Sequence, residues 1–407
     1  MLAAHISDTH IRNLKYHWEY RQAFADLYNK LRDQKPDVII HTGDIAHTKT
    51  QLSPEYFELT AEFLSTLADI APVIIIAGNH DGNLKNPDRQ DAITPIVTAL
   101  QHPNLTFLKN SGEYQFNDEV TFNVLSVFDR ENWIHPTDLS KINIALYHGS
   151  ISGCETGQGF KIRDGDDTSE IFQDFDYAFL GDIHKPQVMD RDGRVRYAGS
   201  TVQQNYGEDP RKGYLLWNIK TKEEFFVRHE VLVNPRPFLT ISLTEDGELP
   251  ETHIPKNARL RVMSRYNIPL TKLRQAVDAA EAKWRPFSVT FVNKGAGSND
   301  QNQGMLADGR FENLRDIQVQ EEMIEEFLAD KELDDGVLEK VLEHNKNYNR
   351  IAEEQEDVSR NVIWSIKEMK WDNLFNYGEG NSISFENLNG IVGIFGKNYS
   401  GKSSIVD

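Results

Sequence analysis

A single cysteine, Cys154, stands in a chain of 407 residues, so neither an intramolecular disulfide nor a cysteine-built zinc site can form. One free thiol agrees with a reducing compartment. Long hydrophobic runs are missing too. Nothing reads as a membrane span, and Leu2-Ala3-Ala4-His5-Ile6 leads straight into a motif at Asp8, which leaves no room for a removable presequence. A cytoplasmic location without membrane contact is therefore expected. No internal repeat is present. Basic residues are scarce, 44 Lys and Arg against 63 Asp and Glu for a net charge of -19, which taken alone argues against a polyanionic partner.

The deficit is uneven. Residues 311–360 carry 16 acidic and 6 basic side chains, whereas Pro255 to Lys294 carries nine basic residues against only Asp278 and Glu281. Those nine are Lys256, Arg259, Arg261, Arg265, Lys272, Arg274, Lys283, Arg285 and Lys294. The chain is suited to phosphate backbones locally, not globally.

At 39% hydrophobic residues the composition is that of a globular protein of two or three domains. Residues 1–235 alternate apolar runs with amphipathic segments. Val38-Ile39-Ile40, Val73 to Ile76, Phe122 to Val127, Ile142 to Leu146 and Tyr177 to Leu180 read as strands. Trp18 to Arg32 and Pro54 to Asp69 read as helices, with Phe24, Leu27, Tyr28 and Leu31 repeating at three and four in the first. That succession predicts an α/β class with a layered core. Residues 236–293 restart the pattern as a compact α+β unit, with strands at Phe238–Leu243, Leu260–Val262 and Phe287–Val292 around a helix from Leu270 to Trp284. Residues 294–310, rich in Gly, Asn, Asp and Gln, read as a flexible linker. Residues 311–360 predict two amphipathic helices, about Leu314–Ala329 and Gly336–Ile351. Residues 361–407 resume strand character at Val362–Ile366 and Ile391–Phe395.

Five apolar runs end directly in Asp, His or Asn: Asp8 with His10, Asp44 with His47, Asn79-His80-Asp81, His148, and Asp182 with His184. Strand ends followed by loops are where an open α/β sheet gathers side chains at one rim, so these oxygen and imidazole donors are placed to converge on metal ions. A lone strand-end Asp is ordinarily a helix cap or turn residue. Seven such donors in Asp-x-His, Gly-Asp-x-x-His, Gly-Asn-His-Asp, Tyr-His-Gly and Gly-Asp-x-His, each after an apolar run, are not. Two divalent cations roughly 3.5 to 4 Å apart clamp a phosphodiester and activate water, which makes a binuclear hydrolase the expectation. Ligands of imidazole, carboxylate and amide without thiolate suit Mn2+ best, with Fe2+ or Mg2+ as alternatives. His5 and His41 read as structural.

In these motifs residues 1 to about 292 resemble a calcineurin-like metallophosphoesterase, and more narrowly the SbcD-type nuclease subunit of double-strand-break repair complexes. The resemblance implies a layered β-sandwich flanked by helices, with residues 236–293 as a DNA-binding capping domain. It implies that one metal takes Asp8, His10 and His184, that a second takes Asn79, His148 and Asp182, and that Asp44 bridges both. His80 would be the general acid, with His47 as a phosphate-orienting helper and Asp81 orienting His80 or capping the next turn. The family commonly has Gly-His-x-His where this chain has Gly181-Asp182-Ile183-His184. The added negative charge should favour Mn2+ or Mg2+ over softer metals there.

Gly396-Lys397-Asn398-Tyr399-Ser400-Gly401-Lys402-Ser403 fits a P-loop. Backbone amides around Gly396, Asn398 and Gly401 would cradle phosphates, Lys402 would reach the β and γ groups, and Ser403 would hold Mg2+. Residues 361–407 resemble the opening of an SbcC-type, SMC-like ATPase that stops before its helix and Walker B aspartate, so ATP binding is expected only of a complete ATPase domain. The implied architecture is a nuclease fused to its ATPase partner and cut short, as a natural fragment or an artificial truncation, with the helical pair at 311–360 docking on the ATPase. The partners implied are DNA, the ATPase and a second copy in a homodimer. The activity implied is 3′ to 5′ exonuclease and single-strand endonuclease cleavage. A phosphodiesterase or phosphatase for small substrates, and an inert ATP-gated DNA tether, stay open as alternatives.

Overall fold

The computed structural model describes residues 1–49, 52–266, 268–293, 324, 336–355, 367–373 and 377–385. The linker at 294–310, the first helix of the acidic pair apart from Ile324, the runs Val362–Ile366 and Ile391–Phe395, and the P-loop with Gly396, Asn398, Gly401, Lys402 and Ser403 lie outside the described residues. Met1–Phe311 forms one compact unit and Glu312–Asp407 another.

In the first unit the chain begins with strands β1 (Leu2–Ile6), β2 (Val38–His41), β3 (Val73–Ile76) and β4 (Leu105–Leu108), joined by helices α1 (His17–Gln34), α2 (Pro54–Ile70) and α3 (Thr94–Leu100). These strands lie parallel, in register Ile6↔His41 and His41↔Ile75. Ser53 caps α2 through Tyr56 N, and Pro54 sits where its missing N–H costs nothing. The chain then builds a second sheet from β5 (Gly112–Gln115), β6 (Val120–Leu125), β7 (Ile142–His148), β8 (Tyr177–Gly181), β9 (Gln187–Val188) and β10 (Val195–Tyr197), in the order β5-β6-β7-β8-β10-β9. It returns to the first sheet with β11 (Gly213–Ile219) and β12 (Phe225–Val231), giving β12-β11-β1-β2-β3-β4.

Side-chain alternation explains why these strands read as continuous apolar runs: both faces of each sheet are buried. Val38 and Ile40 of β2, Ile74 and Ile76 of β3, Leu146 of β7 and Phe179 of β8 fill the space between the sheets. Ile39, Val73 and Ile75 point the other way, against Phe24, Leu27, Phe63 and Leu67 of α1 and α2. The outer face of the second sheet differs from the expected sandwich flanked by helices. Ala145, Tyr147, Ala178 and Leu180 are covered there by Ile151, Cys154 and Phe172, which come from connecting segments and a short 3-10 turn. Among the described residues, the helical layer is one-sided.

The small domain comprises β13 (Phe238–Ser242), β14 (Arg259–Ser264), α4 (Leu270–Trp284) and β15 (Ser288–Asn293). Its three strands are parallel, so it is a miniature βαβ sheet and not the α+β arrangement expected. It also revises the reading of the basic surplus. Arg259 is buried at 7% exposure, ion-paired to Glu19 of α1, with its guanidinium over Tyr16, Phe238 and Phe287. Arg236 joins the same carboxylate at 3.2 Å and lies over Trp18. Arg261 packs over Tyr206 and donates to its carbonyl. Two of the nine cations therefore hold the small domain to the core; counting charge in a sequence is blind to burial. Lys256, Arg265, Lys272, Arg274, Lys283 and Arg285 stay exposed.

In the second unit, described separately, a helix α5 (Val337–Gln355) and a hairpin of β16 (Glu368–Trp371) and β17 (Asn381–Ser384) are present. No described helix is long and apolar enough to cross a membrane.

Candidate metal centre

Parallel strands put all their C-terminal ends on one rim, and five loops meet there: those after β1, β2 and β3 of one sheet and after β7 and β8 of the other. The loops are stitched to one another. Asp8 N donates to Gly43 O at 3.1 Å, His10 N to Asp44 O at 2.9 Å, and Asp182 N to the Asp8 carboxylate at 3.1 and 3.2 Å. Their approach needs glycine: a Cβ on Gly78 would lie 2.2 Å from Asp44 Oδ1, and one on Gly43, at φ +93°, would lie 2.6 Å from His148 Nδ1.

Asp44 stands at the centre. Its Oδ2 lies 3.5 Å from His10 Nε2 and its Oδ1 3.4 Å from His148 Nε2, so its two oxygens face two donor groups. On the first side, His10 Nε2 and His184 Nε2 are 2.9 Å apart, and each is 3.9 Å from Asp8 Oδ1. On the second side, His148 Nε2 is 3.8 Å from Asp182 Oδ1, which also accepts from Asn79 Nδ2 at 3.2 Å. Asp8, His10 and His184 form one compact donor group; Asp8, Asp44 and His148 form another. All seven residues singled out in the sequence are thus brought to one place.

The donor set fits divalent cations on a specific observation. His148 Nε2 and Asn79 Oδ1 are buried and meet no hydrogen-bond partner. His148 donates from Nδ1 to Thr42 O at 2.7 Å, so Nε2 points into the cluster and offers its lone pair to a cation once its proton is displaced. Orphaned buried acceptors are costly unless something satisfies them, and a cation would.

Without cations the charges strain against each other. Burial raises the Asp8 carboxyl to about 6, against the pull of His148 and His184. Burial also opposes ionisation of Asp44, but His148 and His10 outweigh it and hold Asp44 below the usual carboxylate range. For His148 burial disfavours the charged form, and the carboxylates of Asp44, Asp8 and Asp182 overcome it and lift the pKa well above the ordinary value. Burial drives His10 well below.

His80 is exposed, with its ring 4.9 Å from that of His10 and its Nδ1 donating to His47 O at 2.7 Å. It also stands within ligand reach of His10 and Asp44. His47 is half-buried, and burial lowers it to about 4, so its ring is neutral at physiological pH. Asp81 has a role other than those expected. Its fully buried carboxylate does not bond His80; it accepts from Gly78 N at 2.9 Å, Asp44 N at 2.8 Å and Ala46 N at 2.8 Å, clamping the β2 and β3 loops together. His5 stacks on Phe179, His41 bonds Thr9, and both are buried beneath the rim.

One functional residue escaped the sequence reading. Glu208 Oε1 accepts from His184 Nδ1 at 2.8 Å, while Oε2 pairs with Lys212 at 2.9 Å and accepts from Gln204 N at 3.0 Å. This fixes the His184 tautomer and turns Nε2 toward the cluster.

Residues 1–186 match the family model described as calcineurin-like phosphoesterase. Over that segment, somewhat less than half of the chain, the sequence is similar to calcineurin-like metallophosphoesterases. Metallophosphoesterases are metal-dependent hydrolases with a dinuclear site, and the Asp and His cluster of this domain is placed to bind metal. The chain is 33% identical, over 435 aligned positions, to "Uncharacterized protein R555" of Acanthamoeba polyphaga mimivirus. The alignment takes in 99% of this chain and 31% of that protein, so the chain spans about a third of the relative's length. Among solved structures, a dimetal phosphatase from Danio rerio is similar over 56% of this chain and 98% of its own, at 9% identity and a TM-score of 0.35. The Pseudomonas putida nuclease MPE is similar over 53% of this chain and 83% of its own, at 16% identity and a TM-score of 0.28. Yfce, a phosphoesterase from E. coli, is similar over 56% of this chain and 99% of its own, at 13% identity and a TM-score of 0.25.

Proposed function

We propose that this domain is a metallophosphoesterase acting as a Mn2+-dependent DNA nuclease of the double-strand-break repair type. The observation that carries the hydrolytic reading is Asp44, whose two oxygens face His10 on one side and His148 on the other at 3.5 and 3.4 Å. Asp8, His10 and His184 would hold one cation and Asn79, His148 and Asp182 the other, with Asp44 between them. When bound, such a pair supplies Lewis acidity to a phosphodiester and lowers the pKa of water. The chain's own residues do the rest. His80 donates from Nδ1 to His47 O, so when the ring is an imidazolium its second proton, on Nε2, is the one it would hand to the departing 3′ oxygen, leaving the neutral Nδ1–H tautomer. His47, neutral, stacks beside the His80 ring with centroids 6.2 Å apart.

DNA as the substrate is supported by the six exposed cations of the small domain and by the motif order shared with SbcD-type nucleases. Docking of the 311–360 region on an SbcC-type ATPase, and a homodimeric assembly, belong to the same reading. The test is turnover of end-labelled DNA in Mn2+ beside bis-p-nitrophenyl phosphate. Cleavage of DNA is expected; hydrolysis of the small ester with DNA intact would overturn the nuclease assignment. His80→Ser should keep both cations while losing about 10²- to 10⁴-fold in cleavage. Parallel loss of metal would make His80 a ligand instead.

A further inference from the structure

We propose that the two cation sites are chemically unequal: Asp182 makes the site beside His148 an oxygen-rich one for a hard divalent cation, while the site beside His10 and His184 takes a softer one. This rests on the two-cation reading and goes beyond it.

The donors divide unevenly. On the His148 side one imidazole nitrogen faces two carboxylate oxygens, Asp44 Oδ1 at 3.4 Å and Asp182 Oδ1 at 3.8 Å, and the neighbouring Asn79 adds an amide oxygen, Oδ1, that is buried without a partner. On the other side two imidazoles, His10 and His184 with their Nε2 atoms 2.9 Å apart, face Asp8 Oδ1 and Asp44 Oδ2. Oxygen-rich sets suit Mn2+ and Mg2+, whereas added imidazole favours Zn2+ and Fe2+. Asp182 does more than add an oxygen. It accepts from Asn79 Nδ2 at 3.2 Å, and so decides which end of that amide faces the cluster. An imidazole at position 182, its lone pair committed to a cation, would offer Asn79 no acceptor and would leave the amide free to turn. The backbone holds the carboxylate in place: Asp182 sits at φ 91°, with its N–H on Asp8. One residue thereby couples the Asp8 side to the hard character of the other.

The discrimination is relative, because Zn2+ outbinds Mn2+ at most mixed sites. Metal-free protein would be given one equivalent of Zn2+ with an excess of Mn2+, and crystals measured at both absorption edges. Zinc is expected between His10 and His184, and manganese between Asn79 and Asp182. Asp182→His should let a second zinc displace that manganese at a Zn2+ to Mn2+ ratio at least about tenfold lower. Asp182→Asn, which keeps an oxygen and removes the charge, should weaken manganese at its site about tenfold and leave the zinc site unchanged. Circular dichroism of the metal-free variants checks that both fold. Zinc spread evenly over the two sites of the unaltered protein, or an unchanged ratio in Asp182→His, would overturn the inference while cation binding and DNA cleavage persist. Failure to bind two cations at all would remove the parent reading with it.

Discussion

Asp81 separates two accounts of the site. If it acts through His80, removing its carboxylate damages turnover alone; if it clamps the loops, the damage begins with folding and metal. In Asp81→Ala three buried backbone donors, Gly78 N, Asp44 N and Ala46 N, lose their acceptor. Even at about 1 kcal/mol for each orphaned donor the sum is roughly 3 kcal/mol, toward the low end of what such losses cost. At about 2 °C per kcal/mol for a domain of this size, the melting temperature of the metal-free protein should fall by roughly 6 °C or more. Asp44 and Gly78 are so close that a single Cβ would not fit between them, so loosening the clamp moves the central ligand. Cation affinity should drop about 10- to 100-fold. The assays are a thermal melt in chelator and a calorimetric Mn2+ titration. An Asp81→Ala protein that melts normally and holds both cations, yet cleaves poorly, would refute the clamp and return Asp81 to the chemistry.

Three further outcomes are expected. Glu208→Gln must present an amide N–H to one of the donors now on that carboxylate, so the His10 and His184 site should lose about tenfold in cation affinity while the His148 site keeps its own. Equal loss at both sites, read by site-resolved metal occupancy, would contradict it. Glu19→Ala leaves the buried Arg259 guanidinium without a countercharge and should cost about 3 kcal/mol of stability, the low end for a broken buried pair because three aromatic faces still cradle the cation. The Glu19→Ala, Arg259→Met double variant should recover part of that loss; strict additivity of the single changes would show that the pair is uncoupled. Cation uptake should release protons, since ligands must be deprotonated and Asp8 titrates at about 6 with His148 higher. Affinity should therefore fall as pH drops through about 6, and calorimetry in buffers of different ionisation enthalpy should count more protons released at that pH than above it.

The main strands were legible because burial on both faces makes them uninterrupted: Ile39 and Ile40 are adjacent, both apolar, and belong to different cores. Where a strand has a wet face the signal failed. In β12 the residues Arg228 and Glu230 interrupt the run, and β5 is Gly-Glu-Tyr-Gln; neither was anticipated. The ligands were legible for the opposite reason, since each interrupts an apolar run with a residue that has no business in a core. Glu208 carries no such mark. It sits in a polar turn, Gly207-Glu208-Asp209-Pro210, and acquires its role only because folding delivers His184 from 24 residues away.

Backbone strain joins the fold to the site. Asp8, His10, Asp44 and Asp182 all have left-handed φ, at 50°, 49°, 57° and 91°. Three of the other six non-glycine residues in that region among those described, Lys35, Gln101 and Arg285, end helices, where the conformation is ordinary. At the rim no helix end explains it, and each such residue costs of order 1 to 3 kcal/mol. The conformation persists because no loop can relax alone: Asp8 N is held by Gly43 O, His10 N by Asp44 O, Asp182 N by the Asp8 carboxylate, and Asp44 N by Asp81. Strain shared through cross-loop bonds fixes the donors before any cation arrives, so little reorganisation remains for binding to drive. A site held this rigidly discriminates between ions by size and hardness, whereas a floppy one adapts to whichever is present. The backbone geometry at Asp182 is therefore a condition of the unequal pair of sites as much as its carboxylate is.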